Sequence, residues 1–235
     1  NLSCRLRWSA LRNAASWPAS NFIDVGVGDG GIIFGLSSYK DSLIIIKGVS
    51  ATTTSSEAHG MPHNKSYQLI GQTFEPANPT YELRSMDAFR GLPLVGRNAF
   101  NVWNGLLTFM TLDGVYAFDG SGVTKLSDRI QVSIDEMFAR TTTSQESVFN
   151  RQNFCTYKNN LYITTSHPRN LTLTLSASPH NAIFVLTPEN TWWRWTNSLR
   201  IASLIGDTQD RLLGATYLAN GSVASTVRAL ETTEK

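Results

Sequence analysis

The densest set of side chains with recognition chemistry in this sequence is Trp192-Trp193-Arg194-Trp195. Alternate residues of a strand share one face, so Trp193 and Trp195 stand together and Trp192 takes the opposite side. Two indole rings on one open face could stack on a sugar ring. They could equally pack a neighbouring subunit, where Trp is common, while the other face fills a core. The packing role needs nothing further from the sequence; a glycan-stacking role would need polar partners in a groove.

The remaining candidates are each explained by local structure. Gly26-Val-Gly28-Asp-Gly-Gly31 has the glycine spacing of a dinucleotide-binding turn, but that chemistry requires a helix whose N-terminus meets the pyrophosphate. Ile32-Ile-Phe-Gly-Leu follows instead, which predicts a strand, and no βαβ rhythm surrounds it. His59 and His63 have zinc-ligand spacing on a helix, but Gly60-Met61-Pro62 forbids that helix. His167 and His180 fall in another polar stretch and read as solvated side chains. Asp113 and Asp119 flank a five-residue strand and point to one side of it, the placement of a glycosidase carboxylate pair. Both also belong to Asp-Gly turn signals, which account for them without catalysis. No nucleophile elbow and no Cys–His pair is present. Cys4 and Cys155 fit no metal or redox spacing and are expected to be isolated, reduced, buried thiols. The sequence thus offers no catalytic residue, cofactor or metal, and the expectation is a protein that is not an enzyme.

Composition points the same way. Charged residues make up 16 % of the chain, below the usual ~25 %, while 17 Gly accompany abundant Thr, Ser and Asn. Many strands joined by tight turns require such a composition. The net charge of +2 calls for no nucleic-acid partner, and the basic residues are scattered apart from Arg5, Arg7 and Arg12. Apolar runs such as Leu43–Ile46 are of strand length, so no membrane-spanning helix is expected. The chain opens on Asn1-Leu2-Ser3 and reads as part of a longer polypeptide.

The elements that must position these residues repeat. Tyr39-Lys-Asp-Ser-Leu43, Val102-Trp-Asn-Gly-Leu106, Tyr157-Lys-Asn-Asn-Leu161 and Thr208-Gln-Asp-Arg-Leu212 share one pattern. An approach strand meets polar turn formers, and a Leu then starts a β-rich run. The four leucines lie 63, 55 and 51 residues apart. A β-propeller blade places four strands in roughly 40–50 residues, with loop insertions making up longer spacings. The expected fold is therefore all-β, built of propeller-like repeated antiparallel hairpins over residues 1–235 as a single domain. One short helix is predicted over residues 128–138, with Ser127 as its cap and Ile130, Ile134, Met137 and Phe138 on one face. The stretches 51–65 and 167–181 read as loop excursions from the β scaffold.

The order of several segments resembles the β-propeller virion proteins of tailed phages, chiefly the nozzle or tail-stabilisation proteins of short-tailed phages. The residues that carry this are Arg7-Trp8-Ser9 with Trp17-Pro18; Val25-Gly-Val-Gly-Asp-Gly30 leading to Tyr39; Leu43-Ile-Ile-Ile-Lys47; Leu112-Asp113-Gly114-Val-Tyr116-Ala-Phe118-Asp119-Gly120; Leu126-Ser127-Asp-Arg-Ile130; Tyr157-Lys-Asn-Asn-Leu161-Tyr; and Trp192-Trp-Arg-Trp-Thr-Asn197. The resemblance implies a structural component of the virion tail, made in the host cytoplasm and assembled as a homo-oligomeric nozzle or hub ring. It implies partners among tail proteins such as an adaptor or fibre, and passage of DNA without sequence-specific binding. A carbohydrate-binding, receptor-recognition propeller is the alternative.

Overall fold

The computed structural model describes residues 4–10, 12–28, 32–48, 66–73, 80–92, 94–95, 98–139, 153–167, 180–196, 201–207, 211–217 and 223–232. Among the described residues the fold is all-β with one short α-helix. The chain divides into two compact units, Asn1–Leu94 and Val95–Lys235.

The first unit pairs two short strands, β1 (Arg5–Arg7) and β2 (Phe22–Asp24), beside a four-stranded antiparallel sheet. That sheet runs up and down in chain order: β3 (Ile32–Tyr39), β4 (Ser42–Gly48), β5 (Ser66–Thr73) and β6 (Thr80–Met86). Ile44, Ile45 and Ile46 of β4 are all fully buried, so this strand is covered on both faces. Val25, Ile45 and Leu69 form a core, with Leu6, Ile23, Leu43 and Leu83 packed around it. Lys47 is also buried, and its ammonium donates to the carbonyls of Val25 (3.2 Å) and Gly26 (3.1 Å). A buried charge is tolerable only when hydrogen-bonded in this way.

The second unit stacks three sheets. The first holds β7 (Phe100–Trp103), β8 (Leu106–Thr111), β9 (Gly114–Phe118) and β10 (Val123–Lys125). A 3-10 turn, Asp128–Ile130, then leads into α1 (Gln131–Ala139). The second sheet holds β11 (Asn153–Tyr157), β12 (Asn160–His167), β13 (His180–Leu186) and β14 (Trp192–Thr196). The third holds β15 (Ile201–Gly206), β16 (Arg211–Tyr217) and β17 (Val223–Thr232). Every described pairing is antiparallel between chain neighbours. The first strand of each sheet lies against the first strand of the next, β7 on β11 and β11 on β15. Successive propeller blades stack in this manner, first strands together and last strands outermost.

The hairpin repeat is visible in this order. Leu43, Leu106, Leu161 and Leu212 occupy the first or second position of the second strand in four successive sheets. Three of the four turns lie within the described residues and use left-handed backbone, with positive φ at Lys40, at Asn104 and Gly105, and at Lys158 and Asn159; residues 208–210, before Leu212, lie outside them. Paired positive φ is the type I′ geometry whose twist matches the flanking strands. Two of the hairpins share a further detail. The Lys40 ammonium lies 5.2 Å from the Tyr39 ring centre, and that of Lys158 lies 5.1 Å from the Tyr157 ring.

The helix forms where its periodicity predicts, and Ile134 is 1 % exposed. Ile130 is only partly buried, and the Phe138 and Met137 side chains lie outside the described residues. The Ser127 hydroxyl does not cap the helix, contrary to expectation. It accepts instead from the Val115 amide at 3.0 Å, joining the helix entrance to the β9 strand. A buried hydroxyl beside an unpaired strand amide gains more by that bond than by serving a terminus that water can reach. Ser127 is fully buried.

Candidate functional site

The register of the second sheet fixes what each side of the Trp192–Thr196 strand meets. Thr156, Leu161, Leu186 and Trp192 are aligned across four strands and therefore share one face. That face packs on the first sheet of the unit. The Thr156 hydroxyl donates to the Val102 carbonyl at 3.3 Å and accepts from the Asn101 amide at 3.2 Å. At the outer end the Trp192 indole N–H donates to the Leu126 carbonyl at 2.9 Å. Trp192 is thus a fastener between neighbouring sheets.

The opposite face carries the row Cys155, Tyr162, Val185, Trp193 and, one step along, Ile183 and Trp195. Its inner part is a closed core, where Cys155, Tyr157, Tyr162 and Ile183 meet Ile201, Leu204 and Leu212 of the third sheet. The ring of Tyr162 stands 6.1 Å from Tyr157 and 6.2 Å from Trp195, so aromatic contact continues from the first strand to the last. Burial does not continue with it: Tyr162 is 6 % exposed, Trp195 39 % and Trp193 63 %. The core face therefore runs out to solvent as two large rings on the outermost strand. Rings of this size left open at the end of a packed face mark a surface suited to an interaction. Trp192 falls on the other face from Trp193 and Trp195, as the alternation requires.

The carboxylates singled out in the sequence are held in their own turns. Asp113 accepts from the Tyr116 hydroxyl and from Lys125 at 3.0 Å. The Tyr116 hydroxyl, and then Lys125, hold its carboxyl below the usual range. Asp119 accepts from the N–H groups of Ser121 (2.7 Å) and Gly122 (2.9 Å) and from the Ser121 hydroxyl (2.8 Å). Those bonds, Gly122 foremost, lower its carboxyl to about 2. Each carboxylate thus closes a turn at one end of β9.

Neither cysteine forms a disulfide, and both are buried. Burial pushes the Cys155 thiol up to about 11, which leaves it protonated and unreactive at neutral pH. Gly26 and Gly28 have positive φ, and Ile32–Tyr39 is the strand expected after the glycine run, whose residues 29–31 lie outside the described residues. His59 and His63 also lie outside them. His167 and His180 end up as cross-strand partners on β12 and β13. Among the described residues no group of His, Cys, Asp and Glu is arranged to hold a metal ion. No helix among the described residues is long and apolar enough to cross a membrane.

Sequence reasoning did not single out Lys47, whose buried ammonium ties β4 to the chain leaving β2. Its carbonyl partners come from more than twenty residues earlier, and only Lys47's place at the end of an isoleucine run hinted at burial. Comparison of the chain with protein-family models and with curated protein sequences gives no match.

Proposed function

We propose that this protein is a structural component of a phage tail, part of a nozzle or hub ring that acts through protein–protein contacts and forms part of the DNA conduit. The observation that carries the reading is the open aromatic end of the second sheet, where Trp193 and Trp195 continue a closed core into solvent. An exposed Trp pair on an outermost strand suits a permanent contact better than a catalytic role, because it offers large apolar area and few reactive groups. The stacking of three up-and-down sheets with their first strands together is compatible with such a reading. In a closed ring each copy presents two different complementary patches, and the Trp193–Trp195 surface would be one of them. Obligate interfaces of this kind commonly bury upwards of ~2,000 Å².

The test is the mass of the purified protein in solution before and after Trp193→Asp. The reading expects a defined multimer that the charge dissociates to folded monomers. A wild-type chain that remains monomeric at high concentration contradicts it. The alternative is a carbohydrate-binding propeller module that uses the same two rings as a stacking platform. It predicts a monomer that loses glycan binding in Trp193→Ala.

A further inference from the structure

In the first unit a groove of about 440 Å³ opens between the Arg5–Arg7 strand and the four-stranded sheet. Its size falls within the range of small-ligand sites, ~300–1,000 Å³. Trp8 and Tyr81 line it, their ring centres 5.2 Å apart and their planes at 67°. That edge-to-face arrangement is the favoured one for aromatic pairs and fixes both rings. Tyr81 is 39 % exposed and Leu36, also in the lining, 43 %, so apolar surface remains open beside the pair. The rim carries both signs of charge: Arg7 and Lys40 on one hand, Asp41 on the other. Asp41 and Lys40 sit in the tight turn between β3 and β4.

We infer that this groove is a binding site for a short pyranose oligosaccharide. The groove is open, so a wholly apolar ligand would keep much of its surface in water and gain little there. A pyranose has one face of C–H groups, which suits the exposed Tyr81 ring beside the half-buried Trp8, and a periphery of hydroxyls that both donate and accept. Asp41 accepts from such hydroxyls, and Arg7 and Lys40 donate to them. Charge-assisted hydrogen bonds of this type fix orientation and add specificity. A single-stranded nucleic acid also stacks on aromatic rings, but its phosphates would meet the Asp41 carboxylate, and a strand-tracking groove is uniformly basic. The mixed rim therefore favours the saccharide. This site shares no residue with the Trp193–Trp195 surface and stands whether or not the tail reading holds.

The experiment is a glycan array probed with the full chain, followed by calorimetric titration of the best-bound saccharide and of an oligothymidylate. Tyr81 lies on an edge strand, so Tyr81→Ala is expected to fold, and Asp41→Asn keeps the turn's shape; thermal melts check both. The inference expects saccharide binding that weakens roughly tenfold in Tyr81→Ala and in Asp41→Asn and is unchanged in Trp193→Ala. An array that retains no saccharide overturns it. So does binding that survives Tyr81→Ala but fails in Trp193→Ala, which would place the glycan on the other surface. Preferential binding of the oligothymidylate overturns it in favour of nucleic acid.

Discussion

The indole N–H of Trp103 donates to the backbone carbonyl of Asn159 at 2.8 Å, joining two turns that are counterparts in successive sheets. Trp103 ends the first strand of one sheet, and Asn159 lies in the turn that follows the first strand of the next. The repeated hairpin is therefore a contact between repeats as well as a motif within each.

Trp103→Phe tests that contact. The ring stays buried but the donor is lost, and the Asn159 carbonyl must turn to water. A loss of about 1–2 kcal/mol is expected in urea unfolding, with an unchanged far-ultraviolet circular dichroism spectrum. No loss would show that the bond contributes nothing to the stacking of the sheets.

The Lys158–Asn159 turn holds two non-glycine residues at positive φ, whereas its counterpart uses Asn104-Gly105. Placing the counterpart's residues there, as Lys158→Asn with Asn159→Gly, relieves left-handed backbone without touching the carbonyl that Trp103 uses. The gain should be roughly 0.5–1 kcal/mol, reduced by whatever the Lys158–Tyr157 contact contributes. Differential scanning calorimetry would read this as a raised Tm; a lowered one would mean that the contact outweighs the strain.

These hairpins were legible in the sequence because a turn is specified by adjacent residues: polar left-handed formers followed by Leu. The helix was legible for a similar reason, since Ile130 and Ile134 are neighbours on one face at that spacing. Ser127 was misread because its partner, the Val115 amide, is brought to it by the sheet rather than by sequence proximity. For the tryptophans, alternation predicted the division of Trp192 from Trp193 and Trp195. Which side stays open could not be read, because it depends on how far the third sheet extends across the second. Nothing in the sequence pairs Tyr81 with Trp8, because Trp8 lies just past the end of β1, far earlier in the chain.

Ile134 should be intolerant of charge. Its side chain is 1 % exposed, so Ile134→Asp loses core packing and buries a carboxylate, at an expected cost of about 3 kcal/mol or more. Chemical denaturation measures it directly. A variant as stable as the parent would place that face of the helix in solvent.

The Asp119 turn should respond to acid over a displaced range. Its folded carboxyl is lowered to about 2, below the ordinary value of about 4. The turn's contribution to stability is therefore complete above about pH 4 and is lost as pH falls toward about 2. The Ser121 and Gly122 amide resonances should titrate near the lower value and become insensitive to pH in Asp119→Asn. Titration near pH 4 in the parent would show that the carboxylate does not hold those amides.

The central claim is that this protein belongs to the tail of a phage particle, and the most direct measurement is gold labelling of purified virions with an antibody to the folded chain. The account predicts label concentrated at the tail in intact particles, with peptides of this chain recovered from them by mass spectrometry. Particles that carry neither label nor peptides would contradict it.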